Sequence, residues 1–420
     1  MSCRMSLRNK RIAILNDSTK YGRLTIMQQP IVHTYSLGEL YTERKEKGDP
    51  SLPILTVSIH AGVSEGDLDE DKLGKKVKRI ADRTQYKTAR KGDLVFNMMR
   101  AWQGAIGVVR SDGLVSPAYI VAKPNEKIWP EYMDYCMKTP RMIHAIHRQS
   151  YGVTDFRLRL YWDSFTPITC QLPPLPEQQK IATILSTQDK VIELKEKLLA
   201  QKQQQKKYLM QQLLTGKIKL ANYPNNWHEI KLGEVSSMAS GGTPDSKNKE
   251  YYGNTYNWIS ISDISNAGKY IDDSDRKLSQ SGFDNCTARL FNPGTVLLAM
   301  YASVGKCAIA RKTCCTSQAI LGITPQKELV NEYLYYVLVN ENVRLKSFSQ
   351  ASSQPNINKK IVEDVLIKLP SLSEQKAIVE ILSTADREID LIQKFIEAEK
   401  QKKKALMQLL LTGKVRVKDE

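Results

Sequence analysis

The chain has 420 residues, 41% hydrophobic and 25% charged, enough to bury the cores of several domains. Its 62 basic against 45 acidic residues leave a net charge of +17, an excess that favours a polyanionic partner such as nucleic acid. No apolar run approaches the ~20 residues of a membrane span, and the basic N-terminal stretch lacks the apolar core and small-residue cleavage site of a secretion signal.

Seven cysteines (Cys3, Cys136, Cys170, Cys286, Cys307, Cys314, Cys315), an odd number without a C-x-x-C pair, read as reduced thiols of a cytoplasmic protein. In chain order, short apolar runs come first: Ile54–Ile59, Asp93–Phe96 and Ala105–Val109, separated by Gly, Asn, Asp and Ser clusters. These predict strands at close spacing, with a helical patch near 130–148. The prolines of Leu172-Pro173-Pro174-Leu175-Pro176 predict an extended approach that ends before a helix over 177–214. Apolar residues there keep a seven-residue register (Leu185, Ile192, Leu199, Leu213, with Ile181 and Leu209 beside them), and Gly216 sits where a left-handed cap is wanted.

A second strand-rich region follows, with runs Thr295–Leu298 and Ile320–Ile323 and a helical patch near 330–347. A second long helix is expected over 374–411. Ile378, Ala385, Ile392 and Leu406 form one row of its seam, Leu382, Ile389, Ile396 and Leu410 another, before Gly413. Both helices carry Lys/Gln-rich middles, Lys202–Lys207 and Lys400–Lys404, which suit a solvated face or a surface turned to DNA or a partner.

The two helices are one sequence written twice. Segments 177–217 and 374–414 align without a gap at an offset of 197 residues, with 22 of 41 positions identical. The period is too long for a solenoid and implies duplication of a whole unit, domain plus helix. The globular regions match only weakly: Leu37-Gly38-Glu39 with Leu232-Gly233-Glu234, Gly104 with Gly305, Ser116 with Ser317. Kept helices and diverged domains suit a protein that recognises two different things at a fixed separation.

No catalytic constellation stands out. A P-loop, a G-x-G-x-x-G after a strand and an H-E-x-x-H frame are all absent, so no catalytic residue and no metal site is assigned. Side chains suited to DNA are plentiful. The first unit offers Arg83, Tyr86, Lys87, Arg90, Arg100, Trp102, Gln103, Arg157 and Arg159; the second offers Thr243, Tyr301, Ser303, Lys306, Gln318, Gln354, Asn356 and Asn358. Arg and Lys serve phosphates and guanine, while Gln and Asn pair with adenine edges. Trp162, Trp227 and Trp258 read as core anchors.

Three doubled features carry a resemblance. They are Pro174-Leu175-Pro176-Glu177-Gln178 with Pro370-Ser371-Leu372-Ser373-Glu374-Gln375, the Ile-Leu-Ser-Thr segments at 184–187 and 381–384, and the Leu-Leu-Thr-Gly-Lys endings at 213–217 and 410–414. With Ser240-Gly241-Gly242-Thr243-Pro244 and Ser353-Gln354-Pro355-Asn356, the chain resembles the specificity subunits of type I restriction–modification enzymes over residues 30–420. The first unit departs from that pattern, with Thr42-Glu43-Arg44-Lys45 and Gly152–Arg159 at the matching places.

The resemblance implies an α+β architecture: two α/β target-recognition domains held apart by two long antiparallel coiled-coil helices, with pseudo-two-fold symmetry. The expected divisions are 1–176, 177–217, 218–373 and 374–420. It implies a non-catalytic subunit that binds double-stranded DNA at a bipartite site. Two methyltransferase subunits carrying S-adenosylmethionine would dock on the helices, with motor-nuclease subunits as further partners. Glu177, Gln178, Ile184, Leu185, Leu213, Leu214, Glu374, Gln375, Ile381, Leu382, Leu410 and Leu411 are the partner-binding and spacer-helix positions it marks. This chain is expected to hold no cofactor and to touch no membrane. Two alternatives stay open: a self-contained DNA-binding nuclease or methyltransferase, and a structural coiled-coil adaptor.

Overall fold

A computed structural model describes residues 24–25, 32–59, 62–65, 82–152, 154, 157–223, 227–349 and 356–417. The chain forms two compact units, one of residues 1–195 and 395–420, the other of residues 196–394. The division crosses both long helices, so each unit owns one globular domain and a segment of each helix.

In the first unit a four-stranded sheet has the order Tyr41–Glu43, Tyr119–Pro124, Leu94–Asn97, Ile106–Val108, all antiparallel. The helices Pro130–Cys136 and Pro140–Gln149 cover it, where one helical patch was expected. Thr139 breaks the patch in two: its hydroxyl caps the second helix at the Met142 amide, and Pro140 takes the first turn. The second unit repeats the strand order with Ser236–Ser240, Ile320–Pro325, Val296–Ala299 and Cys307–Ala310, and adds Tyr270–Ile271 as a parallel edge. Helices Asn331–Asn340 and Asn342–Ser349 pack there. Shared strand order beneath diverged sequence is what duplication of the whole unit requires.

The long helices span Leu175–Leu214 and Leu372–Leu410, 40 and 39 residues, about 60 Å each. The first begins two residues before its expected start, and Pro176 lies inside its first turn. Proline is tolerated there because that N–H has no intrahelical partner. Gly216 and Gly413 take φ of +67° and +68°, the left-handed caps expected of them.

Within the first unit the helical segments 175–195 and 395–410 run antiparallel: Asp189 meets Lys403 at 2.5 Å, and Lys195 lies over the Phe395 ring at 5.0 Å. Within the second unit 196–214 and 372–394 do the same, with Lys202–Glu388 at 2.7 Å and Lys206–Asp386 at 2.5 Å. The seam lysines Lys202, Lys206 and Lys403 thus face carboxylates of the opposite helix, a third option beside solvent or a partner. The helix ends enter the domain cores. Ile181, Leu185 and Leu410 join Phe96, Tyr132 and Phe165 in the first unit. Leu213, Leu214, Ile378 and Leu382 join Leu298, Tyr333 and Leu338 in the second.

Candidate nucleic-acid interface

In the second unit Ala299 pairs with Ile320, and Ser240 with Leu321. The C-terminal ends of two strands therefore meet the start of a third, and their loops collect at one end of the sheet. Tyr301, Ser303 and Lys306 belong to the turn that leaves Ala299. Its chain reversal uses positive φ at Ala302 (+55°) and Gly305 (+81°). Asn342 donates to the Gly305 carbonyl at 2.7 Å and holds the turn from below. Asn356 forms a β-bridge with Tyr301, and the Ile357 amide donates to Met300 at 3.0 Å. Gln318 precedes Ile320, and Thr243 follows Gly241-Gly242. Thr243, Tyr301, Lys306, Gln318 and Asn356 are exposed there; Ser303 is half-buried and accepts from the Ser265 hydroxyl at 3.0 Å. Asn358 caps the helix Lys359–Glu363, its side chain accepting from Ile361. Gln354 lies outside the described residues.

The glycine pair has a packing reason. A Cβ on Gly241 would fall 1.9 Å from the Thr316 carbonyl oxygen, and one on Gly242 2.4 Å from the Ala288 nitrogen. Only glycine admits so close an approach. The motif presses the loop onto the strand beside it, Trp258 donates its indole N–H to the Gly242 carbonyl at 2.9 Å, and Thr243 is left outward. Arg289, exposed one residue beyond Ala288, was missed by sequence reasoning, because nothing in its neighbourhood marks that contact.

The first unit builds the same end of the sheet with different side chains. The turn after Asn97 carries Arg100, Trp102 and Gln103 and reverses at Gly104 (φ +102°), the counterpart of Gly305. Met98 bonds Ala118 and receives Leu160, as Met300 bonds Ala319 and receives Ile357. Arg100 and Gln103 are exposed; Trp102 donates to the Met99 carbonyl and packs its ring, tilted, against His147 at 5.6 Å. Arg157 and Arg159 are exposed on the returning strand, where Arg159 bridges Tyr151. Tyr151, 59% exposed and 5.1 Å from the Tyr161 ring, is a further aromatic there that sequence reasoning passed over.

Four first-unit candidates have other surroundings. Tyr86 is buried. Lys87 donates to the Tyr119 carbonyl at 2.8 Å, and burial pulls its pKa down. Arg83 reaches the Pro50 carbonyl at 3.2 Å. Arg90 stands at the opposite end of the sheet, gripped by Glu46 and by Asp112 at 2.9 Å, next to the Arg44–Asp93 pair. Hydrogen bonding to Arg90 holds both Glu46 and Asp112 below the ordinary carboxylate range.

The doubled Glu-Gln pair is an internal clamp. Gln178 donates to the carbonyls of Lys127 and Pro173, each at 3.0 Å, and accepts from the Trp129 amide at 2.9 Å. Gln375 repeats this on Glu328, Pro370 and Val330 at 2.8–2.9 Å. Glu177 receives the Arg416 guanidinium, and Glu374 the Trp227 indole at 2.8 Å. All four are buried. Leu185, Leu213, Leu214, Leu382 and Leu410 are likewise core residues, with Ile184, Ile381 and Leu411 packed against them. Trp258 is buried, while Trp162 and Trp227 flank the cores.

Among the described residues no group of His, Cys, Asp and Glu is arranged to hold a metal, and no helix is long and apolar enough to cross a membrane. Fold and site define a duplicated scaffold that presents two chemically distinct loop sets on a shared helical frame. The chain belongs to the type I restriction modification DNA specificity domain family, whose model matches it twice, over residues 38–203 and 224–400. It is 33% identical over 177 residues to the MjaIX specificity subunit of Methanocaldococcus jannaschii, an alignment spanning 41% of this chain and 40% of that relative. It is 27% identical over 327 residues to the MjaVIII specificity subunit of the same organism, 73% and 75% of the two chains. Its fold is similar to that of the HsdS subunit of Thermoanaerobacter tengcongensis (TM-score 0.51, 21% identity, 92% of this chain and 97% of that one). It is also similar to the type I S subunit of M. genitalium (TM-score 0.56, 14% identity, 93% and 98%).

Proposed function

We propose that this chain is the DNA sequence-recognition subunit of a type I restriction–modification complex acting in the cytoplasm. Each globular domain reads one half of a bipartite site, and the helix pair fixes the gap. The observation that carries this is the repeated sheet-end loop set, Arg100/Trp102/Gln103 in one unit and Tyr301/Ser303/Lys306 in the other. Similar scaffolding there presents different hydrogen-bonding groups, as the reading of two different half-sites requires.

The chain itself is non-catalytic in this reading. Methyl transfer to adenine N6 belongs to two methyltransferase subunits docked along the helices, which bring S-adenosylmethionine. Motor-nuclease subunits join the same assembly. Exposed Leu194 and Leu391, related by the 197-residue offset, suit docking of two like subunits. Genome-wide mapping of methyladenine with and without the gene is the test. One bipartite motif that vanishes on deletion is expected. An unchanged methylation pattern, or methyl transfer by the purified chain alone, overturns the assignment.

A further inference from the structure

One constellation occurs twice and belongs neither to the reading loops nor to the Glu-Gln clamp. Asp189 accepts the Tyr135 hydroxyl on Oδ2 at 2.7 Å and the Lys403 ammonium on Oδ1 at 2.5 Å. Asp386 accepts Tyr336 on Oδ2 at 2.6 Å and Lys206 on Oδ1 at 2.5 Å. Each lysine also lies over the ring of its tyrosine, at 5.5 and 5.8 Å. Both tyrosines are buried. The Asp and Lys are identical pairs of the helix repeat. The Tyr belongs to the diverged globular part and recurs there as the end of Glu131-Tyr132-x-x-Tyr135 and Glu332-Tyr333-x-x-Tyr336.

Three separate elements meet at each carboxylate: a domain helix through Tyr, the long helix that follows that domain through Asp, and the opposite long helix through Lys. Buried desolvation and the carboxylate both raise the tyrosine pKa, so each hydroxyl stays protonated and donates. A polar group at a coiled-coil seam fixes register, because a slip of one turn leaves it unpaired. Here the same group also ties the domain to that register.

We infer that the two Tyr–Asp–Lys joints are positioning residues for gap length: they fix each reading domain on the helix pair so that only one half-site separation is accepted. This rests on the recognition reading above. One base pair more or less displaces the half-sites by ~3.4 Å and turns them by about 35°, so a domain held at a single orientation rejects it. A domain that swings on a loosened joint tolerates it, with its base contacts untouched.

The test is methyladenine mapping in cells that express the chain with its methyltransferase partner. A wild-type chain that marks no bipartite motif defeats the recognition reading itself, whatever the variants do. Given that motif, Tyr135→Phe with Tyr336→Phe, and separately Lys206→Met with Lys403→Met, should keep both half-sites. The preference for the native gap over gaps one base pair longer or shorter should fall at least fivefold. Lys206→Arg with Lys403→Arg should restore it. Evenly reduced methylation at the native gap alone means the joints merely add stability, and overturns the inference. The Tyr→Phe pair keeps both rings, so it carries the test should the lysine variants fail to accumulate.

Discussion

Replacing Gln178 by Ala removes three hydrogen bonds at one stroke: two from its amide to the Lys127 and Pro173 carbonyls and one from the Trp129 amide. The side chain is 1% exposed, so the orphaned backbone groups are not rehydrated without rearrangement. Each net loss is about 1 kcal/mol, more where a partner stays dry, and the vacated volume adds to it. The expected cost is about 3–4 kcal/mol, lowering the melting midpoint of a unit this size by roughly 10 °C. Gln375→Ala should cost as much in the second unit, where the same three bonds are made by a side chain of 0% exposure. Urea unfolding gives the magnitude. Hydrogen exchange read by peptide places it, with faster exchange around 125–135 for one variant and 326–336 for the other. Gln178→Glu sharpens the reasoning, because a carboxylate would face two carbonyls. Its pKa in the fold would rise above the ~4.3 of an unfolded glutamate. The stability of that variant is then retained below the unfolded value and lost as pH rises through the folded one, so its penalty grows from pH 4 to 7. A loss below about 1 kcal/mol for Gln178→Ala, or a pH-independent penalty for Gln178→Glu, would show that the clamp is not what seats the domain on its helix.

Arg416→Met leaves the Glu177 carboxylate buried without its partner and should destabilise the first unit by about 3 kcal/mol, measured by the same urea unfolding; Glu177 is 6% exposed. Lys306→Ala should weaken DNA binding evenly across sequences and reduce the slope of log affinity against log salt by about 1. Arg100→Ala should instead relax one half-site, with binding titrations at several salt concentrations separating the two. Arg90→Met should leave recognition unchanged and alter acid sensitivity. Because Arg90 holds Glu46 and Asp112 below their unfolded pKa values, their contribution is present at neutral pH and lost as pH falls through the depressed values. The variant's deficit should therefore shrink from pH 7 to pH 3 in thermal melts, and a constant deficit would refute the pairing.

What the sequence made legible follows from periodicity and punctuation. The long helices, their glycine caps and the strands around Phe96, Val108, Leu298 and Leu321 all announce themselves locally. The seam register announced that the helices pair, while their antiparallel sense was what the resemblance implied. What stayed hidden depends on partners distant in the chain. Arg90 looks like any basic loop residue until Glu46 and Asp112, 44 and 22 residues away, are seen to hold it. Lys202, Lys206 and Lys403 look solvated because their carboxylate partners lie on the opposite helix. The resemblance marks Glu177 and Gln178 as partner-binding or spacer positions of the helices, and only the fold brings loop carbonyls and Arg416 onto them.

The pattern of what the duplication kept and what it let go then has a physical meaning. Within the repeat, Glu177/Glu374, Gln178/Gln375, Asp189/Asp386 and Lys206/Lys403 are identical pairs, and each makes a contact that joins a domain or a helix to its neighbour. These contacts are geometric. A substituted member leaves its partner group unpaired, and in the Glu-Gln clamp that group is buried, so both copies are bound by the same requirement. The sheet-end turns are held from below by backbone bonds and by Gly104 and Gly305, which constrain chain path but not outward side chains. Arg100, Trp102 and Gln103 can thus precede Gly104 where Tyr301 and Ser303 precede Gly305 without disturbing the unit beneath. A scaffold whose joints are fixed and whose turn residues are free can change what it reads without changing how it holds together.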